Sequence, residues 1–203
     1  MGRPKGITGS AAVLSDKDFK RVITNLSPFS SASVRMRNML IVTISFKLGL
    51  RSKELASLKI IDVYDGDKIK STLRLYGKYT KGNKHRDLPL SNQAVKLSLE
   101  QYIQQRKVDD GLVFNLEAPL FRSQKGSFFS ANAMSRLLKN IFIECGFNDA
   151  SSHTGRRSLL TKLATSGISA FYIRDIAGHS SVSTTQRYID INPEVIKSVM
   201  KNV

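Results

Sequence analysis

Tyr188 stands nine residues after His179, and His153 and Arg156 lie three residues apart upstream of both. A phenol that can become a nucleophile, imidazoles that can move protons and guanidiniums that can stabilise anionic oxygen form a set able to attack a phosphodiester without a metal. Arg51, in Gly49-Leu50-Arg51-Ser52-Lys53-Glu54-Leu55, adds a second guanidinium, with Glu54 three residues on. Taken singly, each has an ordinary explanation: a half-buried packing tyrosine, a helix-start histidine, a loop histidine, a solvated arginine. Together they point to DNA strand cleavage. His153 and Arg156, spaced i, i+3 on one helix, project from the same face and can reach the same phosphate.

The chain's charge fits that chemistry. Lys and Arg number 32 against 16 Asp and Glu, a net charge of +16, which favours a polyanionic partner, nucleic acid first. With 41% hydrophobic residues over 203 positions, the chain can bury a core of its own. Cys145 is the only cysteine, which excludes an internal disulfide and, with three histidines, argues against a structural zinc site. The longest apolar stretch, Met39 to Leu50, is interrupted by Thr43, Ser45 and Lys47 and is too short to span a bilayer. The first residues, Met1-Gly2-Arg3-Pro4-Lys5-Gly6, carry no apolar signal region and no myristoylation pattern. These features predict no membrane association and a cytoplasmic, nucleoid-associated protein.

Helices must position most of these groups. Residues 1–14 read as a flexible basic arm, and a domain from residue 15 onward begins with Ser15 and Asp18 spaced as a capping box. Helices are expected over 33–48, with Gly49 as the stop, then 52–58, 91–107, 130–145, 153–166 and 170–177. Strands are expected around 60–63, 69–75 and 87–90, with a loose basic turn at Lys81-Gly82-Asn83-Lys84. The fold class is therefore mainly α with a small antiparallel β-sheet. A last helix from Pro193 carries one apolar stripe, Val195, Ile196, Val199 and Met200.

The spacing of Arg156, His179 and Tyr188 resembles that of the tyrosine recombinase (phage integrase) family. Gly49-Leu50-Arg51-Ser52-Lys53-Glu54-Leu55 resembles the family's first-arginine motif, and Thr80-Lys81-Gly82-Asn83-Lys84-His85-Arg86 its β-hairpin lysine motif. Arg51, Lys81, His153, Arg156, His179 and Tyr188 thus match all six family positions in order. The resemblance implies the tyrosine recombinase catalytic-domain fold and site-specific strand exchange through a 3′-phosphotyrosyl intermediate. It assigns Tyr188 as nucleophile, Arg51 and Arg156 as phosphate clamps, Lys81 as general acid and His153 as proton acceptor. His179 becomes a donor to a non-bridging oxygen, and Glu54 a buttress of the site. No cofactor or metal is implied, because the phosphotyrosine bond conserves the energy of the broken phosphodiester.

Further expectations concern partners. Arg3, Lys5, Lys78, Lys84, Arg86, Arg157 and Arg187 are expected DNA contacts, and Gly2-Arg3-Pro4-Lys5-Gly6 is either similar to an AT-hook core or a simple basic tail. The partners implied are double-stranded DNA recombination sites, accessory DNA-bending proteins, and three further copies in a tetrameric synapse joined through residues 193–203. Two departures stand out. Gly155 occupies a position where the family usually has Leu, and the family's N-terminal core-binding domain has no counterpart, as expected for a separate catalytic fragment or a short enzyme resembling the fimbrial phase-switch recombinases. Two rival readings share some of these residues. A type IB topoisomerase would use the same chemistry, and a helix-turn-helix reader would use the stretch from Ile173 to Thr185. For any phosphate-dominated interface of this charge, DNA affinity should fall steeply between 50 and 200 mM salt, by about 10³-fold or more if six or more phosphates are contacted; a titration showing salt-insensitive binding would contradict it.

Overall fold

The computed structural model describes residues 11–26, 31–77, 85–123, 126–186 and 188. Nine α-helices occur among them: α1 (Asp16–Asn25), α2 (Ala32–Leu48), α3 (Ser52–Ser57), α4 (Ile60–Val63), α5 (Gln93–Asp110), α6 (Ala131–Glu144), α7 (Thr154–Thr165), α8 (Ala170–Ala177) and α9 (Val182–Gln186). Strands β1 (Thr72–Leu75) and β2 (Arg86–Pro89) form a two-stranded antiparallel sheet. This is the mainly helical fold with a small sheet that the sequence predicts. The arm's first ten residues, the basic loop 78–84 and the helix expected from Pro193 lie outside the described residues.

Helix α2 is the spine. Leu40, Ile41, Val42, Ile44, Phe46 and Leu48 are all buried, so the second half of the helix is wrapped on every side, with α5 and α7 packed along α2. It stops at Gly49, whose φ of 67° is the left-handed conformation that a side chain disfavours. Phe46 packs between Phe19 and Phe142, with centroids 5.1 and 6.0 Å away, joining α1 and α6 to this core. The predicted capping box starts α1: Ser15 Oγ accepts from the Asp18 N–H, and the Ser15 N–H donates to Asp18. Just before it, the Leu14 N–H donates to Ser158 Oγ at 2.8 Å. The end of the expected free arm is therefore tied to α7.

One expected strand is a helix. Residues 60–63 form a single helical turn, α4, despite their β-branched character, because the donors that a helix start leaves open are taken by other groups. The Lys59 N–H donates to Asp62 Oδ2, and those of Ile60 and Ile61 donate to the carbonyls of Ala118 and Leu116. Ile60 and Val63, three apart, then bury one face. The sheet pairs Leu73 with Leu88 and Leu75 with Arg86. Its two-residue alternation points Leu73, Leu75, Leu88 and therefore Arg86 inward, while Arg74 and Asp87 form an exposed ion pair outside.

Gly155 has a structural reason. A Cβ there would overlap Ser45 Oγ and come within 2.9 Å of Phe46 Cδ2, so α7 lies directly against α2. Gly155→Ala should lower the denaturant midpoint: alanine's helix preference of about 1 kcal/mol is outweighed by about 1–3 kcal/mol of overpacking. An unchanged or raised midpoint in urea unfolding would show that the helices can separate without cost.

Candidate active site

The base of the site is one carboxylate. Glu54, on the first turn of α3, has no solvent exposure. Its oxygens accept from the Arg51 backbone N–H (2.7 Å), Arg51 Nη1 (3.0 Å), Arg86 Nη1 (2.7 Å) and Arg86 Nη2 (2.9 Å). Burial by itself would raise the Glu54 pKa, but the hydrogen bonds and charge of Arg86, helped by Arg51, hold it below the usual carboxylate range. Glu54 therefore stays ionised and orients both guanidiniums. Arg86, expected as a DNA contact, is an inward-facing partner of Glu54 with its side chain 8% exposed. The parity of β2, with Leu88 and Leu90 both buried, is the sequence signal that would have found it.

The second arginine is held by helix ends. Arg156, on α7, is 4% exposed; Nη1 donates to the Gly49 carbonyl at the end of α2, and Nη2 to the Ala177 carbonyl at the end of α8, each at 2.6 Å. Arg51 Nη2 donates to the next carbonyl, Gly178, at 3.1 Å. Carbonyls at helix C-termini lack intrahelical partners and carry partial negative charge. They fix the two guanidiniums and leave other N–H groups of each for a ligand, since a guanidinium carries five. Burial, the Arg51 charge and other neighbours push the Arg156 pKa down to about 10, so it remains a cation at neutral pH. Glu54 pairs with Arg51 and Arg86 and Arg156 adds a third guanidinium nearby, an excess of positive charge that favours a bound anion.

His179 follows the α8 stop at Gly178. Its Nε2 lies 3.0 Å from Arg156 Nη2, and its Nδ1 lies 2.9 Å from Thr185 Oγ1 on α9. Partial burial and the charges of Arg156, Arg51 and Arg86 lower its pKa to about 4, so the ring is neutral at pH 7. The Tyr188 ring stacks on it, with centroids 5.8 Å apart and planes at 19°, and packs against Leu160, Ile173 and Ala177. His153 sits at the start of α7 and is exposed. Partial desolvation, followed by the Arg156 and Arg51 charges, lowers its pKa too, which favours the neutral form that can accept a proton.

The structure thus gathers Arg51, Glu54, Arg156, His179 and Tyr188 through direct contacts, with His153 feeling the charges of both arginines. Arg157 is half-buried on α7, one residue round the helix from Arg156. Lys81, Lys78, Lys84, Arg187, Arg3 and Lys5 lie outside the described residues. Two groups escaped sequence reasoning besides Arg86. The carbonyls of Gly49, Ala177 and Gly178 have no side-chain signature, although the stop glycines mark where they fall. Thr185 looked like part of a polar recognition helix, but it is buried against His179, and the five-residue α9 connects His179 to Tyr188.

Residues 12–194 match the Phage integrase family. The chain is 29% identical over 175 residues to the tyrosine recombinase XerD of Oceanobacillus iheyensis, covering 85% of this chain and 56% of that one. It is 31% identical over 167 residues to the tyrosine recombinase XerC of Rhodospirillum centenum, covering 82% and 46%. The chain spans about half the length of the curated relatives it matches. Among solved structures, XerA recombinase aligns with a TM-score of 0.71 at 24% identity, over 95% of this chain and 66% of that one. XerH site-specific recombinase bound to its difH substrate aligns with 0.69 at 23%, over 93% and 53%. These last two establish the fold.

The buried carboxylate makes a testable contribution to stability. Glu54→Gln should destabilise the domain by about 3–5 kcal/mol, because it leaves two guanidiniums without their counter-charge. Glu54's folded pKa lies below its unfolded value of about 4.3, so its contribution is complete above that value and is lost as pH falls through the folded pKa. The gap between the two proteins in urea unfolding should be constant above about pH 5 and shrink below it. A gap that does not depend on pH in the acid range would remove Glu54's charge from the account.

Proposed function

We propose, on the premise that this chain belongs to the phage integrase family, that it cleaves and rejoins DNA strands at specific sites through a covalent intermediate on Tyr188. The observation that carries this reading is the stack of Tyr188 on His179, with His179 bonded to Arg156 and Arg156 set beside the Arg51–Glu54–Arg86 cluster. A phenol and a phosphate drawn into this group of cations would stand next to each other.

The roles follow from charge and geometry. As Tyr188 attacks, the phosphorus becomes five-coordinate and negative charge grows on its equatorial oxygens, which Arg51 and Arg156 are oriented to stabilise. Glu54 and the helix-end carbonyls hold those guanidiniums in place beforehand, so the site needs little rearrangement at the moment of reaction. The phenol must shed its proton, and neutral His153 is the acceptor. The departing 5′-oxygen must gain one, and Lys81 is the donor. His179 donates to a non-bridging oxygen. Attack by the 5′-hydroxyl of another strand reverses the chemistry and joins the new pair.

The partners proposed are double-stranded recombination sites, further copies of the chain coupled through residues 193–203 into a tetrameric synapse, and proteins that bend the DNA. DNA-bound relatives of the same fold, such as XerH on difH and the Tn1549 transposon integrase on its transposon end, support the first of these. The basic balance of the chain supports a nucleoid-associated location. The test is a nicked suicide half-site drawn from DNA flanking the gene. The wild-type protein should form a covalent complex on it, and Tyr188→Phe should abolish that complex while leaving binding almost intact, since it removes one oxygen and no charge. A covalent band that persists in Tyr188→Phe would move the nucleophile elsewhere.

A further inference from the structure

We propose that Thr185 is the positioning residue that holds the His179 ring by accepting its Nδ1 proton, and that its hydroxyl changes from acceptor to donor when a phosphate enters the site. The inference deepens the recombinase reading and rests on it for the second half only.

The first half follows from donor arithmetic. Arg156 Nη2 and His179 Nε2 are 3.0 Å apart. A guanidinium has donors and no acceptor, so Nε2 accepts and the neutral ring carries its proton on Nδ1. Thr185 Oγ1, 2.9 Å from Nδ1, therefore accepts from it. Thr185 has no solvent exposure, so water cannot easily take over this contact. The same residue's carbonyl accepts the Tyr188 N–H at 2.9 Å. Thr185 thus holds the histidine ring with its side chain and the nucleophile's backbone with its main chain.

In this arrangement Nε2 has a lone pair and no proton, so it cannot donate to a phosphate oxygen. An entering phosphate competes for the Arg156 N–H that now engages Nε2. Full protonation of the ring is opposed by Arg156, Arg51 and Arg86, the charged groups around it. The accessible route is tautomer exchange with no net change in charge: the half-buried ring swings off Thr185, gives its Nδ1 proton to water, takes one up on Nε2 and returns. The Thr185 hydroxyl can then rotate and donate to the bared Nδ1, because a hydroxyl is both donor and acceptor. Valine fills the same space and can do neither; serine can do both.

Imidazole nitrogen NMR on the DNA-free protein reads the tautomer directly, and suicide-half-site assays at saturating protein read cleavage separately from binding. Wild type and Thr185→Ser should show the His179 proton fixed on Nδ1. Thr185→Val leaves the Nδ1–H without its acceptor, so its signal should shift and broaden as the ring loosens; the variant should bind DNA equally well and cleave slower by at least about tenfold, with Thr185→Ser recovering most of the rate. A Thr185→Val protein with the wild-type Nδ1–H signal, or with the wild-type cleavage rate, would overturn the proposal. If Thr185→Val fails to fold, Thr185→Ser decides: a folded serine variant that loses the wild-type Nδ1–H signal contradicts it. Failure of the recombinase reading would appear separately, as a wild-type protein that forms no covalent complex while the NMR comparison still assigns or removes the Thr185 hold on the ring.

Discussion

A carboxylate buried between two guanidiniums is the constraint on which the site depends. Taking Glu54 out of water costs several kcal/mol, and that cost is offset only because four donors, from Arg51, Arg86 and the Arg51 backbone, converge on its two oxygens. Each donor comes from a different structural requirement. Arg51 caps the start of α3, and Arg86 is delivered by the inward face of β2. Glu54 therefore joins the helical core to the two-stranded sheet.

The other half of the site is built on helix ends. Helices α2 and α8 both stop at left-handed glycines, Gly49 and Gly178, with φ of 67° and 59°. Their terminal carbonyls converge on Arg156, and Gly178 reaches Arg51. This convergence requires α7 to lie close to α2, which is why Gly155 has no room for a side chain. A Cβ on Gly178 would likewise meet the Arg86 guanidinium. Two glycines that look like local helix weaknesses thus set the spacing of the arginine cluster. The same arrangement passes from Arg156 through His179 to Thr185 and Tyr188, so the arginine cluster and the surroundings of Tyr188 share one hydrogen-bond network.

Much of this was legible in the sequence where a residue's role is stamped on its type and spacing. Ser15 with Asp18 announced a helix start, Gly49 and Gly178 announced stops, and the interval from Arg156 to Tyr188 pointed to residues that the fold does bring into contact. What was not legible depends on tertiary contact. Ile60 to Val63 has strand-forming side chains, yet distant carbonyls at Leu116 and Ala118 satisfy the donors of a helical turn. Arg86 reads as one more surface charge in a basic run until the strand's parity turns it inward. Thr185 reads as a polar helix residue until His179 is seen beside it. Backbone carbonyls, which hold both Arg51 and Arg156, leave almost no trace in a sequence.

The central claim is that the arginine cluster is held ready to neutralise phosphate charge. It is tested most directly by comparing wild type and Arg51→Ala on two substrates, one with a normal scissile phosphodiester and one with a neutral methylphosphonate at that position. Arg51 is the better probe because it is more exposed than Arg156 and leaves Glu54 paired with Arg86. If Arg51 stabilises growing negative charge, its loss should slow cleavage by orders of magnitude on the phosphodiester and by far less on the neutral linkage. An equal deficit on both substrates would contradict the account and make Arg51 a structural residue alone.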